Sequence, residues 1–368
     1  MPTWHCAHVY YHADRDALLL GAVRPLLARV REHVEAAYVL RHWRQGPHVR
    51  INIRTSPDTW RDVVRPALDE IVGDYLKAHP STTTLDPEES LGRHRLMAMR
   101  EEERGPLTPW RADNSIHEEP FDSRHHVLGN DLAVDLLTSF YTDSTDLLFD
   151  MLEHEGGKLG VAMNLMLTVA HTSQPITSSY MSFRSHAEGY LTWAADPAAS
   201  RAAFDRAYAA QRDALVARVR DVIRALDEPA SEPMPFVREW AALMDAYRDR
   251  AGDLVQPMTG PGEAPIQAPR REQSELHRLI FDSPAYHDAV FSDPAFLRYR
   301  VLLNYTYLHL TRLGLTPLER FHLCHLTANA VEDAYGVPGL ELIRRYVQSG
   351  KVADPPEGDA PEAAALTT

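Results

Sequence analysis

The chain has 368 residues, of which 44% are hydrophobic and 24% are charged, and its formal net charge is -14. This composition is that of a globular protein with two domains or one large domain with insertions. The acidic balance excludes a nucleic-acid backbone as the main partner, because phosphate binding needs a basic face. Its two cysteines lack redox or metal spacing and its N-terminus lacks a signal-like apolar run, which favours the cytoplasm. The most apolar stretch, Leu159–Ala170, is too short to cross a membrane.

The first 80 residues alternate between strand-like and helix-like segments. Trp4–Tyr11 is rich in β-favouring residues and predicts a strand, and residues 15–33 carry an apolar stripe of helical period that one proline would kink or divide. Two further strand-like runs, Ala37–Trp43 and His48–Arg54, are joined by Arg-Gln-Gly-Pro, which predicts a hairpin. Residues 58–77 predict a second amphipathic helix. The order strand, helix, strand, strand, helix indicates an α+β arrangement.

The rest of the chain is first polar and then helical in pattern. Residues 79–130 are proline-rich, with short strands predicted near 94–99 and 115–120. The periodicity then predicts helices over residues 131–154, 157–170, 197–227, 233–251, 272–290, 294–313 and 317–334. A Pro/Gly-rich connector is predicted at 252–270.

We therefore expect an α+β fold with an N-terminal mixed or antiparallel sheet and packed helices, followed by a mainly helical C-terminal half. Residues 1–130 would form the α+β portion with an arginine-rich hairpin. Residues 131–350 would be the mainly helical portion of the same catalytic unit, and 351–368 a disordered tail.

Several common motifs are missing from the sequence. There is no GxGxxG, no Walker A, no HExxH and no GxSxG pattern. His322, Cys324 and His325 lie close together, but no acidic third ligand stands beside them, which favours a core helix over a zinc site. We expect neither a metal nor a cofactor.

The predicted hairpin is unusually rich in arginine and histidine. By strand parity His48, Arg50, Asn52 and Arg54 fall on one face, while Val49, Ile51 and Ile53 take the other. Such a face can hold a carboxylate or a polarised amide. It can equally be a solvated sheet face, and the residue types alone do not decide between the two.

The window Tyr180–Tyr190 concentrates groups that exchange protons. If its start is extended and its end helical, Tyr180, Ser182 and Arg184 share one face, and His186 and Tyr190 are one helical turn apart. The alternative is a helix entry capped by Ser182 or Ser185, with Glu188 in the first turn.

Two stretches of the sequence resemble those of a known protein family. Trp-His-Cys-Ala-His-Val-Tyr-Tyr at 4–11 and Tyr-Val-Leu-Arg-His-Trp-Arg-Gln-Gly-Pro-His-Val-Arg-Ile-Asn-Ile-Arg at 38–54 resemble the start of the elimination domain of lanthipeptide dehydratases. That domain also occurs free-standing in thiopeptide biosynthesis. The resemblance runs from about residue 4 to about 336 and implies elimination-site roles for Arg41 and Arg50. The family's His, Asn and Arg on a late helix correspond to His325, Asn329 and Ala330, so the arginine is replaced.

Two branches of this family fit the chain. One is the split elimination subunit, which removes glutamate from glutamylated Ser or Thr. The other is the pyridine synthase, which joins two dehydroalanines in a formal (4+2) aza-cycloaddition and then loses water and the leader peptide. Ser-Phe-Arg-Ser-His-Ala-Glu-Gly-Tyr at 182–190 resembles the pyridine-synthase branch. The resemblance implies a precursor-peptide partner with a leader and a dehydrated, azole-containing core, and other enzymes of the pathway. A non-catalytic peptide-binding scaffold is the alternative from another class.

The site residues follow from combining these observations. We expect Tyr180, Ser182 and His186 to move protons, while Arg184, Arg50 or Arg41 polarise amide oxygens and Glu188 orients His186 or an arginine. Substrate-binding roles are predicted for Arg41, His48, Arg54, Tyr190 and His325. Positioning of the two alkenes would dominate the rate, with acid–base help adding roughly 10²–10⁴-fold. We expect Arg50 and His186 to open onto one cavity.

Overall fold

The computed structural model describes residues 1–228, 230–252, 254, 274–336 and 338–349, with side chains described as far as residue 347. The predicted tail at 351–368 and most of the predicted connector at 252–270 lie outside these residues. The chain divides into two compact units, of which the first contains Met1–Lys158 with Leu308–Leu315 and the second contains Leu159–Tyr307 with the remainder. The predicted division at residue 130 follows composition, whereas the compact units divide the chain at Lys158.

The first unit is built on a four-stranded antiparallel sheet in the order β2-β3-β1-β4. Its strands are β1 (Thr3–Tyr10), β2 (Ala36–His42), β3 (His48–Thr55) and β4 (Ser115–Glu119). The hairpin prediction is confirmed, since β2 and β3 are joined through a turn in which Gly46 has a φ of 111°. A β-carbon would strain that backbone, so glycine suits the position.

Helices cover this sheet and fill the rest of the first unit. They are α1 (Arg15–Leu18), α2 (Arg24–Val30), α3 (Pro57–Thr59), α4 (Arg65–Ala78), α5 (Pro87–Arg100), α6 (His125–Leu128), α7 (Asp131–Asp143) and α8 (Thr145–Glu153). A π-helical turn directly precedes α2 and another precedes α4, and each of these helices has a proline in its first turn. The proline predicted to divide the first helix therefore sits just after a local change of winding.

Two predictions in this unit are wrong. The strand expected at 94–99 is part of α5, because Asp86 caps that helix by accepting from the backbone N–H of Glu88 and Pro87 supplies a helix-ready φ. The single helix expected at 131–154 is two helices, which part at Ser144. The Ser144 hydroxyl donates to the carbonyl oxygen of Phe140 at 2.6 Å, and the same oxygen also accepts the backbone N–H of Ser144 at 3.0 Å.

In the described residues of the second unit, the regular secondary structure is all helical. Its helices are α9 (Lys158–Ser173), α10 (Ile176–Ser179), α11 (Met181–Trp193), α12 (Pro197–Asp227), α13 (Val237–Gly252), α14 (Glu275–Phe281), α15 (Pro284–Tyr286), α16 (Pro294–Leu313), α17 (Pro317–Tyr335) and α18 (Gly339–Ser349). The α+β prediction is confirmed. Over the residues described, no helix combines the length and apolarity needed to cross a membrane.

Candidate active site

In the first unit, strand β3 carries a buried arginine. Arg50 is only 5% exposed and lies between His8 on β1 and Leu40 on β2. Its Nε lies 3.3 Å from Nε2 of His48, while its two terminal nitrogens lie 3.5 Å from Glu103 and 3.7 Å from Asp122. These partners hold the guanidinium from three sides. We name Arg50, His48, Glu103 and Asp122 the arginine cluster.

Neutral His48 accepts a hydrogen bond from Arg50 and so holds the guanidinium in place. Its Nδ1 lies 2.9 Å from the carbonyl oxygen of Gly46 and must therefore donate to it, which leaves Nε2 to accept from Arg50. Burial, followed by the nearby charges of His8, His42 and Arg50, lowers the pKa of His48 well below its ordinary value. The imidazole is thus a fixed acceptor and not a proton carrier.

Glu103 supplies the negative charge of the cluster, although its side chain is 2% exposed. It contacts Arg44 at 3.0 Å, Arg124 at 2.7 Å and His42 at 3.5 Å as well as Arg50. Burial alone would raise the pKa of Glu103, but the hydrogen bond from His42 and the charges of the arginines lower it to about 2. Four chain segments are therefore joined through one carboxylate.

A small cavity opens beside the arginine cluster. Cys6, Arg50, Asn52 and Asp122 are among its lining residues, and its volume is about 20 Å³. This is room for about one water molecule. The Asn52 side-chain nitrogen, Nδ2, is buried there and finds no hydrogen-bond partner among the described residues. The cavity thus offers an amide donor beside a guanidinium, a combination suited to an amide or carboxylate oxygen.

The other predicted hairpin residues do not join this cavity. Arg41 pairs across the strands with Val49, so it lies on the opposite face from Arg50. It donates to the carbonyl oxygen of Arg312 at 2.7 Å and forms an ion pair with Asp16. Arg54 is at the end of the strand, where it contacts Glu35 at 3.3 Å in solvent. Of the residues on the predicted polar face, His48 and Asn52 share the surroundings of Arg50.

In the second unit, α11 and α17 are joined by Arg184. Its Nη2 donates to Oδ1 of Asn329 at 2.5 Å and lies 2.9 Å from Glu332 Oε2, while its Nε donates to Glu332 Oε1 at 3.2 Å. The arginine is 9% exposed, so this pairing is largely removed from water. A forked guanidinium between an amide and a carboxylate is held in one orientation.

His325 continues this network from the same helix. Its Nε2 lies 2.9 Å from Asp205 Oδ1 and 2.9 Å from Asn329 Nδ2. Burial and the charge of Arg184 lower the pKa of His325 to about 4, and Asp205 acts in the opposite direction. We name Arg184, Asp205, His325, Asn329 and Glu332 the histidine network.

His186 and Tyr190 belong to an aromatic cluster beside it. The His186 ring stacks 4.8 Å from Tyr307 and lies 4.8 Å from Phe321, and Tyr190 stacks 4.9 Å from that same Phe321. Burial, helped by Arg320, lowers the pKa of His186 to about 3, so it is neutral at pH 7. Its Nε2 is buried without a hydrogen-bond partner in the part of the chain that the structure describes.

The beginning of the Tyr180–Tyr190 window differs from both predicted forms. It is helical from Met181, and the N-cap residue Tyr180 has helical φ and ψ angles of -60° and -18°. Helix α10 runs directly into it, so no serine caps α11 and neither Ser182 nor Ser185 lies before a helix start. The predicted extended start, the predicted serine cap and the placing of Glu188 in the first turn are wrong because the chain arrives already helical.

The remaining residues of the window have separate partners. Tyr180 is fully buried, and burial followed by the charge of Glu332 raises its pKa. Ser182 lies near the buried phenol of Tyr299, whose hydroxyl donates to the carbonyl oxygen of Ser179 at 2.9 Å. Glu188 forms a bidentate ion pair with Arg201, at 2.9 and 2.6 Å, and so it orients an arginine and not His186.

The window and the arginine cluster belong to different compact units, so the expected shared cavity of Arg50 and His186 stays a prediction. Among the described residues, no three His, Cys, Asp or Glu side chains are grouped to hold a metal ion. Four side chains of these polar clusters escaped the sequence analysis: Glu103, Asp122, Asp205 and Glu332. Each lies in a polar, helical or irregular stretch and gains its role from a partner distant in sequence, so the pattern around it gives no signal.

The fold and these polar clusters define a class of protein, in which a small antiparallel sheet with a buried arginine accompanies a large set of helices. A family model for the C-terminal part of lantibiotic biosynthesis dehydratases matches residues 4–331, and the chain belongs to this family. The resemblance inferred from the sequence is thereby confirmed.

Two solved structures extend the comparison. The pyridine synthase TbtD from thiomuracin biosynthesis is 34% identical, covers 91% of this chain and 99% of that chain, and superposes with a TM-score of 0.73. The crystal structure of TsrL, at 23% identity, covers 94% of this chain and 98% of that chain with a TM-score of 0.68, and it shows the same fold. A search of curated proteins gives no match.

Proposed function

We propose that this protein is a thiopeptide pyridine synthase. It forms the central six-membered nitrogen heterocycle by a formal (4+2) aza-cycloaddition of two dehydroalanines in a modified linear precursor peptide. Water and the leader peptide are then lost as the ring becomes aromatic. The observation that carries the proposal is the 34% identity to a pyridine synthase over 91% of this chain and 99% of that one.

The chemistry needs one amide in its iminol form, so that it can act as an azadiene. A donor at the amide oxygen and an acceptor for the amide proton together favour that form. In the second unit, Arg184 is a fixed cationic donor and His325 is a buried neutral imidazole. Asn329 lies between them and contacts both. We therefore assign the donor and the acceptor of this step to the histidine network.

The arginine cluster supports a different step. Arg50 and the amide nitrogen of Asn52, which has no hydrogen-bond partner among the described residues, are donors for a peptide carbonyl, and Arg50 is rigidly held. Rigid donors hold one segment of a folded peptide in place, and bringing two alkenes together this way removes up to about 7–11 kcal/mol of barrier. We assign peptide positioning to Arg50 and proton movement to the second unit.

The proposal extends to the partner and the reaction type. The substrate is a ribosomally made precursor peptide with a leader and a dehydrated, azole-containing core. The reaction as written adds no electrons and removes none, so it proceeds without a redox cofactor, and its elimination steps make it a lyase. The enzyme acts in the cytoplasm, where precursor peptides are made.

The test is incubation of the purified protein with a dehydrated linear precursor peptide, followed by mass spectrometry. A macrocycle lacking one water, together with free leader peptide, is the expected product. Glutamate release from a glutamylated peptide would assign the elimination reaction instead, and binding without a mass change would assign a scaffold role. Either result would refute the proposal.

Variants then test the assigned residues. Arg50→Ala, Arg184→Ala and His325→Ala should each slow macrocycle formation, whereas Arg54→Ala should not, because the Arg54 side chain is exposed and forms an ion pair with the exposed Glu35. Tyr180→Phe and His186→Ala test the proton-handling roles predicted from the sequence. Full activity in both would remove those two residues from the mechanism.

A further inference from the structure

The two polar neighbours of His325 make opposite demands on the same nitrogen. Asp205 Oδ1 and Asn329 Nδ2 each lie 2.9 Å from His325 Nε2. A carboxylate only accepts, so Asp205 requires a proton on Nε2. An amide NH₂ only donates, so Asn329 requires that Nε2 be unprotonated. Both contacts cannot be hydrogen bonds at once.

The orientation of Asn329 is not free to resolve this conflict. Its Oδ1 accepts from Arg184 Nη2 at 2.5 Å, and Arg184 is in turn held by Glu332 at 2.9 Å. Turning the amide over would direct its NH₂ at a guanidinium, which has no acceptor. Arg184 therefore keeps the donor nitrogen of Asn329 directed at His325.

The competition at Nε2 decides whether the other ring nitrogen of His325, Nδ1, carries a proton. Nδ1 is buried and has no hydrogen-bond partner within the described part of the chain. His325 itself is 1% exposed, whereas the Asp205 side chain is 56% exposed. A proton on Nε2 leaves Nδ1 as a buried acceptor, and a proton on Nδ1 turns the same position into a donor.

We propose that Asp205 is a positioning residue that keeps the proton of neutral His325 on Nε2, against the competing donor Asn329, so that Nδ1 is the proton acceptor. The charge difference between the two neighbours decides the outcome, because a hydrogen bond to a carboxylate is about twice as strong as one to a neutral group. The assignment deepens the proposed function. It rests on that function only in naming the substrate amide as the group that gives its proton to Nδ1.

The charged groups around His325 agree with this assignment. Arg184 from α11 and Arg201 from α12 both disfavour the imidazolium, and Asp205 from α12 is the carboxylate that favours it. Within the proposed reaction, Nδ1 takes the amide proton and the positive charge that results lies beside Asp205. The proton is then returned to the amide oxygen, so the tautomerisation is complete with no net change at His325.

The tautomer is measured directly by nitrogen NMR of the full-length protein labelled with ¹⁵N-histidine. His325→Gln identifies the His325 signals by their absence. We expect the wild type to carry the proton on Nε2 and Asp205→Ala to carry it on Nδ1, because Asn329 then donates without competition. Asp213→Ala, an exposed aspartate on the same helix, should match the wild type. A proton on Nδ1 in the wild type, or on Nε2 in Asp205→Ala, would overturn the proposal.

Activity separates this proposal from the proposed function. Asp205→Ala should lower kcat by roughly 10²-fold with little change in KM, since proton transfer is affected and peptide binding is not. Asp205→Glu, which restores a carboxylate, should recover part of the loss. If the tautomer changes as expected while kcat does not, Asp205 positions His325 but His325 takes no part in the chemistry. If no variant or wild-type protein forms the ring, the proposed function fails and the tautomer result still decides the role of Asp205.

Discussion

The carboxylate of Glu103 lies 3.5 Å from the guanidinium of Arg50, and the side chains of the two residues are 2% and 6% exposed. They are 53 residues apart in sequence, so this contact fastens the irregular segment after α5 onto strand β3. A buried pair of this kind is costly to break, because the remaining partner keeps its charge away from water.

Glu103→Gln tests this contact through stability. The free energy of unfolding should fall by about 3–5 kcal/mol, because Arg50, Arg44 and Arg124 all lose their shared carboxylate. Urea unfolding measures the change. Glu153→Gln is the matched control, since Glu153 pairs with Arg24 while 56% exposed, and its effect should stay below about 1 kcal/mol. Equal effects in the two variants would contradict the assigned importance of burial.

The carboxylate of Glu103 also predicts that the folded state loses stability at acidic pH. The pKa of Glu103 is lowered to about 2 from an ordinary value of 4.5, so its ionised form stabilises the folded state above pH 4.5. That contribution is lost as the pH falls from about 4.5 to about 2, because the unfolded state binds the proton first. Chemical unfolding at several pH values should show a smaller loss over this interval for Glu103→Gln than for the wild type. Parallel curves for the two proteins would contradict it.

His186→Phe separates stacking from proton transfer. Phenylalanine keeps a flat ring between Tyr307 and Phe321, so the melting temperature should change little. The variant lacks the buried Nε2, so kcat should fall by roughly 10²-fold if His186 handles a proton as predicted. Differential scanning calorimetry and the macrocyclisation assay provide the two measurements. Unchanged kcat would show that His186 only packs.

Gly339→Ala should impair the histidine network from outside it. A β-carbon at Gly339 would lie 2.7 Å from the Tyr180 hydroxyl and 3.0 Å from Glu332 Oε1, so the carboxylate that holds Arg184 must move. We expect loss of activity, measured as macrocycle formed. Gly73→Ala is the control, because a β-carbon there meets nothing within 4 Å. On helix propensity it should raise the free energy of unfolding by up to about 1 kcal/mol.

Arg312→Lys tests a buried cation whose hydrogen-bond partners, among the residues that the structure describes, are all uncharged. Arg312 donates to the Val39 carbonyl oxygen at 2.9 Å, to Ser144 Oγ at 2.6 Å and to Thr145 Oγ1 at 2.7 Å. A single ammonium cannot reach all three, so we expect a loss of about 2–4 kcal/mol by urea unfolding. Arg31→Lys, at an exposed pair with Asp146, should cost less than about 1 kcal/mol. A loss as small as that of the control would contradict the assigned role.

The local sequence was enough to predict the hairpin and the fold class. Gly46 and Pro47 mark the turn, and the alternation through β3 places Arg50 and Val49 on opposite faces as observed. It could not predict that the polar face is buried. The chain that covers Arg50, around Glu103 and Asp122, is polar and irregular, and its sequence has no period that would reveal a contact with β3.

The break between α7 and α8 and the histidine network also could not be predicted fully from the sequence. The apolar period of 131–154 continues across Ser144, so the residue pattern does not reveal the break that the backbone makes there. Residue types drew attention to Arg184 and His325, but their partners Glu332, which is half-buried, and Asp205, which is exposed, lie on helical positions of ordinary composition. Sequence reasoning found the groups that can react, and tertiary structure supplied the groups that orient them.

The partners of Arg312 have a consequence for the response of the fold to ionic strength. Ion pairs at the surface weaken as dissolved ions screen them, whereas the Arg312 cation is bound by a backbone carbonyl and two hydroxyls and, within the described part of the chain, forms no ion pair that salt could screen. The attachment of Leu308–Leu315 to β2 and to the break between α7 and α8 therefore persists in concentrated salt. The hydrogen bonds of Arg312 thus anchor this late segment of the chain to the first unit independently of the ionic strength.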